Sequence, residues 1–246
     1  MKLPKKLGRE PLIEAIFEMR FKTPSPASNI LPGYLFTKLV GQKTIERLPA
    51  AELPEQMRSV DQNLRYAPLI RIRWGSYLVL IGDRNVGLAC GVPYLGWHDF
   101  KPNILMLVRS LSQAEIIDSV ERFSLRYTDI IPSDLGRADS LLEFKLRIGQ
   151  HSAEGDYFQI RVEVRKGELL HIIQIASSGV ANLIDGSSRS GAAVDIDTIA
   201  MLDDMTVPQF ADVLSERLDT LHTDNKAMFF DCLKPATIEK LEPSYG

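Results

Sequence analysis

The chain has 246 residues and a mass of 27.6 kDa, with 45% hydrophobic and 25% charged residues and a formal net charge of −3. These are the proportions of an ordinary globular protein. They exclude a disordered chain, a collagen-like chain and a disulfide scaffold, since Gly is 16, Pro 14 and Cys only 2. The length suits a single α+β domain over 1–246, with room for two lobes, 1–115 and 116–246.

The first predicted element is a strand from Leu12 to Phe21. Ile13, Ala15, Phe17, Met19 and Phe21 alternate onto one face, and Glu14, Glu18 and Arg20 onto the other. Pro24 and Pro26 end it. A short helix follows over Pro32–Val40, with Leu35, Phe36, Leu39 and Val40 on one side, and Leu53–Leu64 reads as helical or irregular. Leu69–Trp74, Tyr77–Ile81 and Val86–Cys90, separated by the Gly75-Ser76 and Gly82–Asn85 turns, predict an antiparallel meander. A second helix runs from about Lys101 to Leu111, with Asp99 as its cap and a buried stripe of Ile104, Leu107, Val108 and Leu111.

Ser119–Ile131 is the next strand, with Phe123, Leu125 and Tyr127 facing in. Residues 133–207 contain no proline. Proline cannot donate to a ladder, so the gap predicts continuous sheet. The strands within it are Leu141–Ile148, Tyr157–Arg165, Leu169–Ala176 and Ala193–Met201, with a loop over Gly179–Gly191 whose most mobile part is 187–191. Thr206 to Gln209 has the pattern of a capping box. It opens a long helix in which Phe210, Leu214, Leu218, Leu221, Met228, Phe229 and Cys232 form the core-facing stripe. The fold class expected is α+β: an extended antiparallel sheet, in two similar halves, with helices packed on one face and a long C-terminal helix. A helix-grip arrangement is the alternative.

The charge is unevenly spread. Residues 1–130 carry 18 basic and 13 acidic side chains, and residues 131–246 carry 11 and 19. Such a chain pairs its own halves, self-associates, shows a basic face to an anionic partner, or simply carries an uneven, solvated surface. Cys90 and Cys232 read as small hydrophobes rather than a disulfide. The basic N-terminus has no apolar segment after it, and no apolar run approaches membrane-span length, so a cytoplasmic protein is expected.

The most informative pattern is basic. Arg71 and Arg73 share one face of their strand, Arg122, Ser124 and Arg126 one face of theirs, as do Lys145 and Arg147, and Arg161, Glu163 and Arg165. That face is either an anion-reading platform for RNA, DNA or an acidic protein, or a solvated surface laced by cross-strand pairs with Glu14, Glu18, Glu143 and Glu163. Few aromatic residues stand among the outward positions, unlike a single-strand stacking platform. Asp195 and Asp197 share a strand face, with Asp203 and Asp204 just beyond. They form either a Mg²⁺ donor set or negative charge before a helix N-terminus, and no metal is assigned. His98, His151, His171 and His222 lack zinc-ligand spacing, and phosphate-loop and nucleophile-elbow motifs are absent, so no cofactor is expected. Tyr94–Phe100 is an aromatic cluster, read either as a pocket lining or as a staple over the core.

Pro11–Phe21, Tyr94–Phe100, Glu121–Tyr127, Asp195–Asp197, and Leu221-His222 with Phe229-Phe230 together resemble a family of sporadically distributed, uncharacterised bacterial and archaeal proteins. The resemblance spans nearly the whole chain. Where such proteins carry Asn after the Arg-Tyr block, this chain has Asp129. The resemblance implies no settled activity, but a patchy distribution like that of defence and toxin–antitoxin genes. It marks Arg122, Arg126, Tyr127, Trp97 and His222 as shared positions. The leading expectation is a non-catalytic binding protein, an antitoxin, immunity or defence component with a protein partner. The alternatives are a nucleic-acid binder using Arg71, Arg73, Arg122 and Arg126, and a small-ligand carrier or enzyme with a pocket near Trp97 and the last helix. A homodimer through exposed sheet edges is a further expectation.

Overall fold

The computed structural model describes residues 3–152, 155–183 and 186–245. In chain order the strands and helices are β1 (Lys6–Leu7), β2 (Leu12–Lys22), α1 (Leu31–Lys38), β3 (Lys43–Arg47), α2 (Glu55–Val60), β4 (Ile70–Trp74), β5 (Tyr77–Ile81), β6 (Asn85–Gly91) and α3 (Trp97–Ser112). There follow β7 (Ser119–Pro132), α4 (Ala138–Leu141), β8 (Arg147–Ile148), β9 (His151–Ser152), β10 (Gln159–Lys166), β11 (Leu169–Asn182), β12 (Ser188–Met205), α5 (Val207–Asp231), α6 (Pro235–Lys240) and β13 (Pro243–Ser244). Nine strands make one antiparallel sheet in the order β10-β11-β12-β7-β2-β6-β5-β4-β3, so the chain is α+β with a long C-terminal helix. No helix among the described residues is long and apolar enough to cross a membrane.

Packing divides the chain into two compact units. Unit 1 is Met1–Ala15, Arg126–Thr198 and Leu221–Gly246, and unit 2 is Ile16–Leu125 and Ile199–Thr220. The division does not fall at one point of the sequence, because β2, β7, β12 and α5 each give residues to both.

Unit 2 holds the meander. β4, β5 and β6 pair in the register Trp74↔Tyr77 and Ile81↔Val86, with Gly75 at φ +57° in the first turn. That dihedral suits glycine because it has no Cβ to clash. Phe17, Met19, Phe21, Ile72, Val79, Ile81, Leu88 and Phe123 are fully buried, each such side chain contributing about 1.5–3 kcal/mol on leaving water. α3 adds Phe100 and the predicted stripe. Phe210 of α5 meets the Phe123 ring with centroids 5.1 Å apart.

The expectations for this unit need three corrections. Gly96, at φ +96°, caps α3, and Asp99 lies inside the first turn with its carboxylate taken by the Tyr77 hydroxyl. On α1 the buried residues are Leu31 and Leu35, followed by Leu39, whereas Phe36 is 38% and Val40 85% exposed. Phe36 lies about 100° round the helix from Leu35, and Val40 comes after the helix has ended. β3 was not expected, because an edge strand reading Lys-Thr-Ile-Glu-Arg with one half-exposed apolar residue has no apolar alternation.

Unit 1 is built on β10 and β11, paired from Gln159↔Ala176 to Lys166↔Leu169. Its core joins Ile173, Ile175, Val194 and Ile196 of the sheet to Phe229 and Phe230 of α5, Leu233, and Ile238 of α6. Of the strand expected at Leu141–Ile148, only Arg147–Ile148 is strand, paired with β9. Leu141 ends α4, Leu142 bridges to Leu233, and Glu143 N–H donates to Cys232 C=O at 2.8 Å. The end of α5 has captured that backbone. The loop expected at 179–191 falls partly on residues 184–185, outside the described residues, and elsewhere is largely strand. Small polar residues read as loop, but here they permit close approach. A Cβ on Gly191 would lie 1.8 Å from Ile131 O. Cys90 and Cys232 are free thiols, the second pushed up to about 11 by burial and by Asp231.

The capping box is present. Gln209 Oε1 accepts from Thr206 N–H at 3.1 Å, and Gln209 N–H donates to Thr206 Oγ1 at 3.4 Å. Thr206→Ala is expected to lower unfolding stability by about 0.5–2 kcal/mol. Gly191→Ala is expected to cost about 1–3 kcal/mol through forced backbone displacement. Urea denaturation of both variants against the parent measures these losses.

Candidate functional site

Strand alternation places the helix-packed residues of β7, Phe123, Tyr127 and Ile131, on one face and Arg122, Arg126 and Thr128 on the other. In unit 1 the second face carries a charged row across neighbouring strands. Arg126 Nε lies 3.0 and 2.9 Å from the two Asp195 oxygens, and its Nη2 lies 2.8 Å from Oδ2. Thr128 Oγ1 donates to Oδ2 at 2.6 Å, and Gln174 Nε2 to Oδ1 at 3.4 Å. Asp195 is thus a saturated acceptor that fixes an arginine. No group of three metal-ligating side chains able to hold an ion occurs among the described residues. Glu14 completes the row. Burial pushes its carboxyl up against the opposing pull of Arg126.

Several of the other arginines are also held. In unit 2, Arg71 donates to Glu46 at 2.7 and 3.2 Å, which keeps that carboxyl low. Arg122 Nη2 donates to Glu18 at 3.1 Å, and Arg20 stacks 3.9 Å over Tyr66. In unit 1, Arg161 and Glu163 pair at 2.8 Å. Arg73 is exposed opposite Thr44 and Leu78. Arg71, Arg122 and Arg126 are thus paired across strands, and Arg161 within its own. Asp204, at the end of β12, accepts from Lys22 at 2.8 and 2.9 Å and from Ser119 at 3.2 Å.

The remaining predicted positions separate. Tyr127 OH lies 3.1 Å from His222 Nδ1 in unit 1. In unit 2, Trp97 Nε1 donates to Asp219 at 3.0 Å, and Lys101 ties the other Asp219 oxygen at 2.6 Å. Phe100 stacks on Tyr77, with Tyr94 and Trp97 edge-on to it. The aromatic cluster therefore staples the entry of α3 to the meander.

Two features were missed from sequence. The first is a pocket of about 280 Å³ in unit 1. Ser133, Ser177, Ser178 and Ser190 supply hydroxyls, Asp139 and Asp156 supply carboxylates, and Arg137, Tyr157 and Phe158 also line it. The serines and glycines that read as loop were its only signal. The second is a buried carboxyl group, Asp129, 6% exposed on the helix-packed face of β7. Burial pushes its carboxyl well up. Glu10 and Asp195 add to the rise, and Arg189 opposes it. Burial raises Glu10 too, against its bond to the Leu12 backbone and the pull of Arg189, Lys226 and Lys6. Arg189 itself donates to the Glu10 and Leu12 carbonyls at 2.8 and 3.1 Å.

Comparison with models of known protein families finds no match, and comparison with curated proteins finds none either.

A carboxyl with a raised folded pKa binds its proton more tightly folded than unfolded. Its stabilising effect is full at acid pH and falls as pH rises from about 4 through the folded value. Asp129→Asn removes that titration. The variant should gain melting temperature over the parent at pH 8 and lose that advantage towards pH 4.5. Thermal unfolding across this range measures it, and an equal difference at both ends refutes the assignment.

Proposed function

We propose that this chain is a non-catalytic binding protein of the bacterial or archaeal cytoplasm whose partner is a basic protein. The partner places a Lys or Arg side chain in the unit 1 pocket. The observation that carries this reading is the pocket's charge. Two carboxylates, Asp139 and Asp156, and four serine hydroxyls line it against one guanidinium. Asp139 stands 3.6 Å from Arg137, beyond hydrogen-bond length, so its oxygens stay available to a second cation. Asp156 is met at 2.6 Å by His151, a weak competitor for a permanent cation when neutral.

Size supports the same reading. At about 280 Å³ the pocket falls just below the range of ligand sites, about 300–1,000 Å³. It suits one inserted side chain better than a nucleotide cofactor. The acidic excess of residues 131–246 draws a basic partner towards it at long range. The resemblance to sporadically distributed proteins supports a partner encoded by an adjacent gene, in the manner of an antitoxin, immunity or defence component.

Co-expression with each neighbouring gene, followed by affinity capture, tests this. A stable complex is expected with a basic product, weakened at least tenfold by Asp139→Lys with Asp156→Lys and weakened by salt. Capture of nucleic acid alone, or a complex indifferent to both substitutions, refutes it.

A further inference from the structure

β10 is one edge of the nine-stranded sheet, and all its residues but Ile160 and Val164 are exposed. An edge strand of this length without proline offers a row of peptide groups to another strand. The phase of that row can be read from the ladder. Continuing the β10–β11 register sets Phe158 opposite Ser177, and Ser177 N–H donates to Phe158 C=O at 3.0 Å. Hydrogen-bonded pairs recur every second residue. The even-numbered residues of β10 therefore turn their peptide groups to β11. Gln159, Arg161, Glu163 and Arg165 turn theirs outward. The hairpin closure agrees. Lys166 and Leu169 face each other across a two-residue turn with Gly167 at φ +59°, the arrangement that a hydrogen-bonded closing pair requires.

The outward residues decide which strand fits. In an antiparallel pairing of β10 with itself, a two-fold axis through Val162 sets Arg161 of one copy opposite Glu163 of the other, and Glu163 opposite Arg161. Both are outward-facing residues, so each such pair exchanges two backbone hydrogen bonds as well as charge. Gln159 then meets Arg165, Ile160 meets Val164, and Val162 meets its own copy. Val162 is 47% exposed, and the contact would cover it. Moving the axis to Arg161 or Glu163 puts like charges face to face. Moving it to Ile160 or Val164 shortens the overlap. The opposite edge behaves differently. β3 paired with itself about Ile45 sets Lys43 against Arg47 at both ends.

We propose that the protein forms a two-fold symmetric dimer by antiparallel pairing of β10 with β10 of a second copy, in the register centred on Val162. The Arg161–Glu163 ion pair now made within one strand, 2.8 Å long and half-exposed at both side chains, becomes a four-membered alternating cluster at the axis. The sheet continues from one copy into the next. The isologous contact is self-complementary, as a closed two-fold dimer requires. This interface uses none of the charged groups assigned to partner binding, so the two readings fail independently.

Sedimentation equilibrium on the purified full chain gives the first test. A dimer is expected, and a wild-type monomer at all accessible concentrations overturns the proposal. Glu163→Arg sets arginine against arginine and should raise the dimer dissociation constant at least tenfold. Arg161→Glu combined with Glu163→Arg restores opposite charges and should recover most of that loss. A dimer unaffected by Glu163→Arg, or not recovered by the double exchange, overturns the register. The second test is covalent. Residues facing their own copy in a non-hydrogen-bonded pair have Cα atoms about 4.5 Å apart, within disulfide reach. Val162→Cys should crosslink into a dimer under mild oxidation, while Arg165→Cys, which faces Gln159, should not. The reverse pattern excludes the axis. Circular dichroism and melting of each variant separate loss of assembly from loss of fold, because every substituted side chain is solvent-exposed.

Discussion

The structure depends on one constraint: strands that are neighbours in space and distant in sequence must carry opposite charges on the face away from α5. The front of the chain is basic and the back acidic, and the sheet order places β7 of the front directly beside β12 of the back, with β2 next beyond β7. The pairs that result are Lys22 with Asp204 and Arg126 with Asp195. Arg9–Asp134 and Lys101–Asp219 repeat the front-to-back pattern away from the sheet. Most are exposed, so solvent screening leaves them little weight in stability. Their stronger effect is on register. A strand slipped by one residue exchanges the charged face for the apolar one, so the Arg126–Asp195 pair also reports that Phe123, Leu125 and Tyr127 of β7 point to the core.

On the helix-packed face the same chain buries polar groups, and there the constraint is hydrogen bonding. His171, with no exposed surface, lies 2.9 Å from Thr198 Oγ1 through Nδ1. Asn225 of α5 donates to that hydroxyl and to Ile196 C=O, both at 2.9 Å. Since Thr198 Oγ1 receives the amide, its own proton is available to the imidazole. Burial lowers the histidine pKa, Asp224 and Lys166 exert opposing pulls, and the ring is held neutral. Its Nε2 finds no partner among the described residues. This network ties α5 to β11 and β12 by direction as well as by area, which apolar contact alone does not supply.

Legibility from sequence follows from which force set each element. β2, β4, β7 and α5 are amphipathic, so their period is written in the residues themselves, β5 and β6 are apolar runs bounded by turn residues, and the capping box at Thr206 was visible before its hydrogen bonds. β3 and α4 are set by what they pair with, and their residues show no period. Asp195 is the clearest case at the level of chemistry. Beside Asp197 it reads as a cation ligand, and it does bind a cation. That cation is Arg126, brought alongside by the β12–β7 pairing. A local pattern names the charge wanted and not its source. The arginines were likewise legible as a face, and Glu18 and Glu163 as partners on it, while Glu46 and Asp195 became visible as the holders of Arg71 and Arg126 only with the strand order.

Once those pairs are formed, the net charge of −3 describes the surface poorly. Among the groups that remain are four whose partners are distant, weak or confined to the same strand. Asp139 lies 3.6 Å from its arginine, and Asp156 relies on a histidine. Arg161 and Glu163 satisfy each other only along one exposed strand. All four lie in unit 1, and the first two line its pocket. The pocket offers excess negative charge, which a different molecule must supply with a cation. The β10 edge offers both signs in an order that its own two-fold copy satisfies. Hetero-association and self-association thus draw on different residues of the same unit, and neither requires the paired sheet face to open.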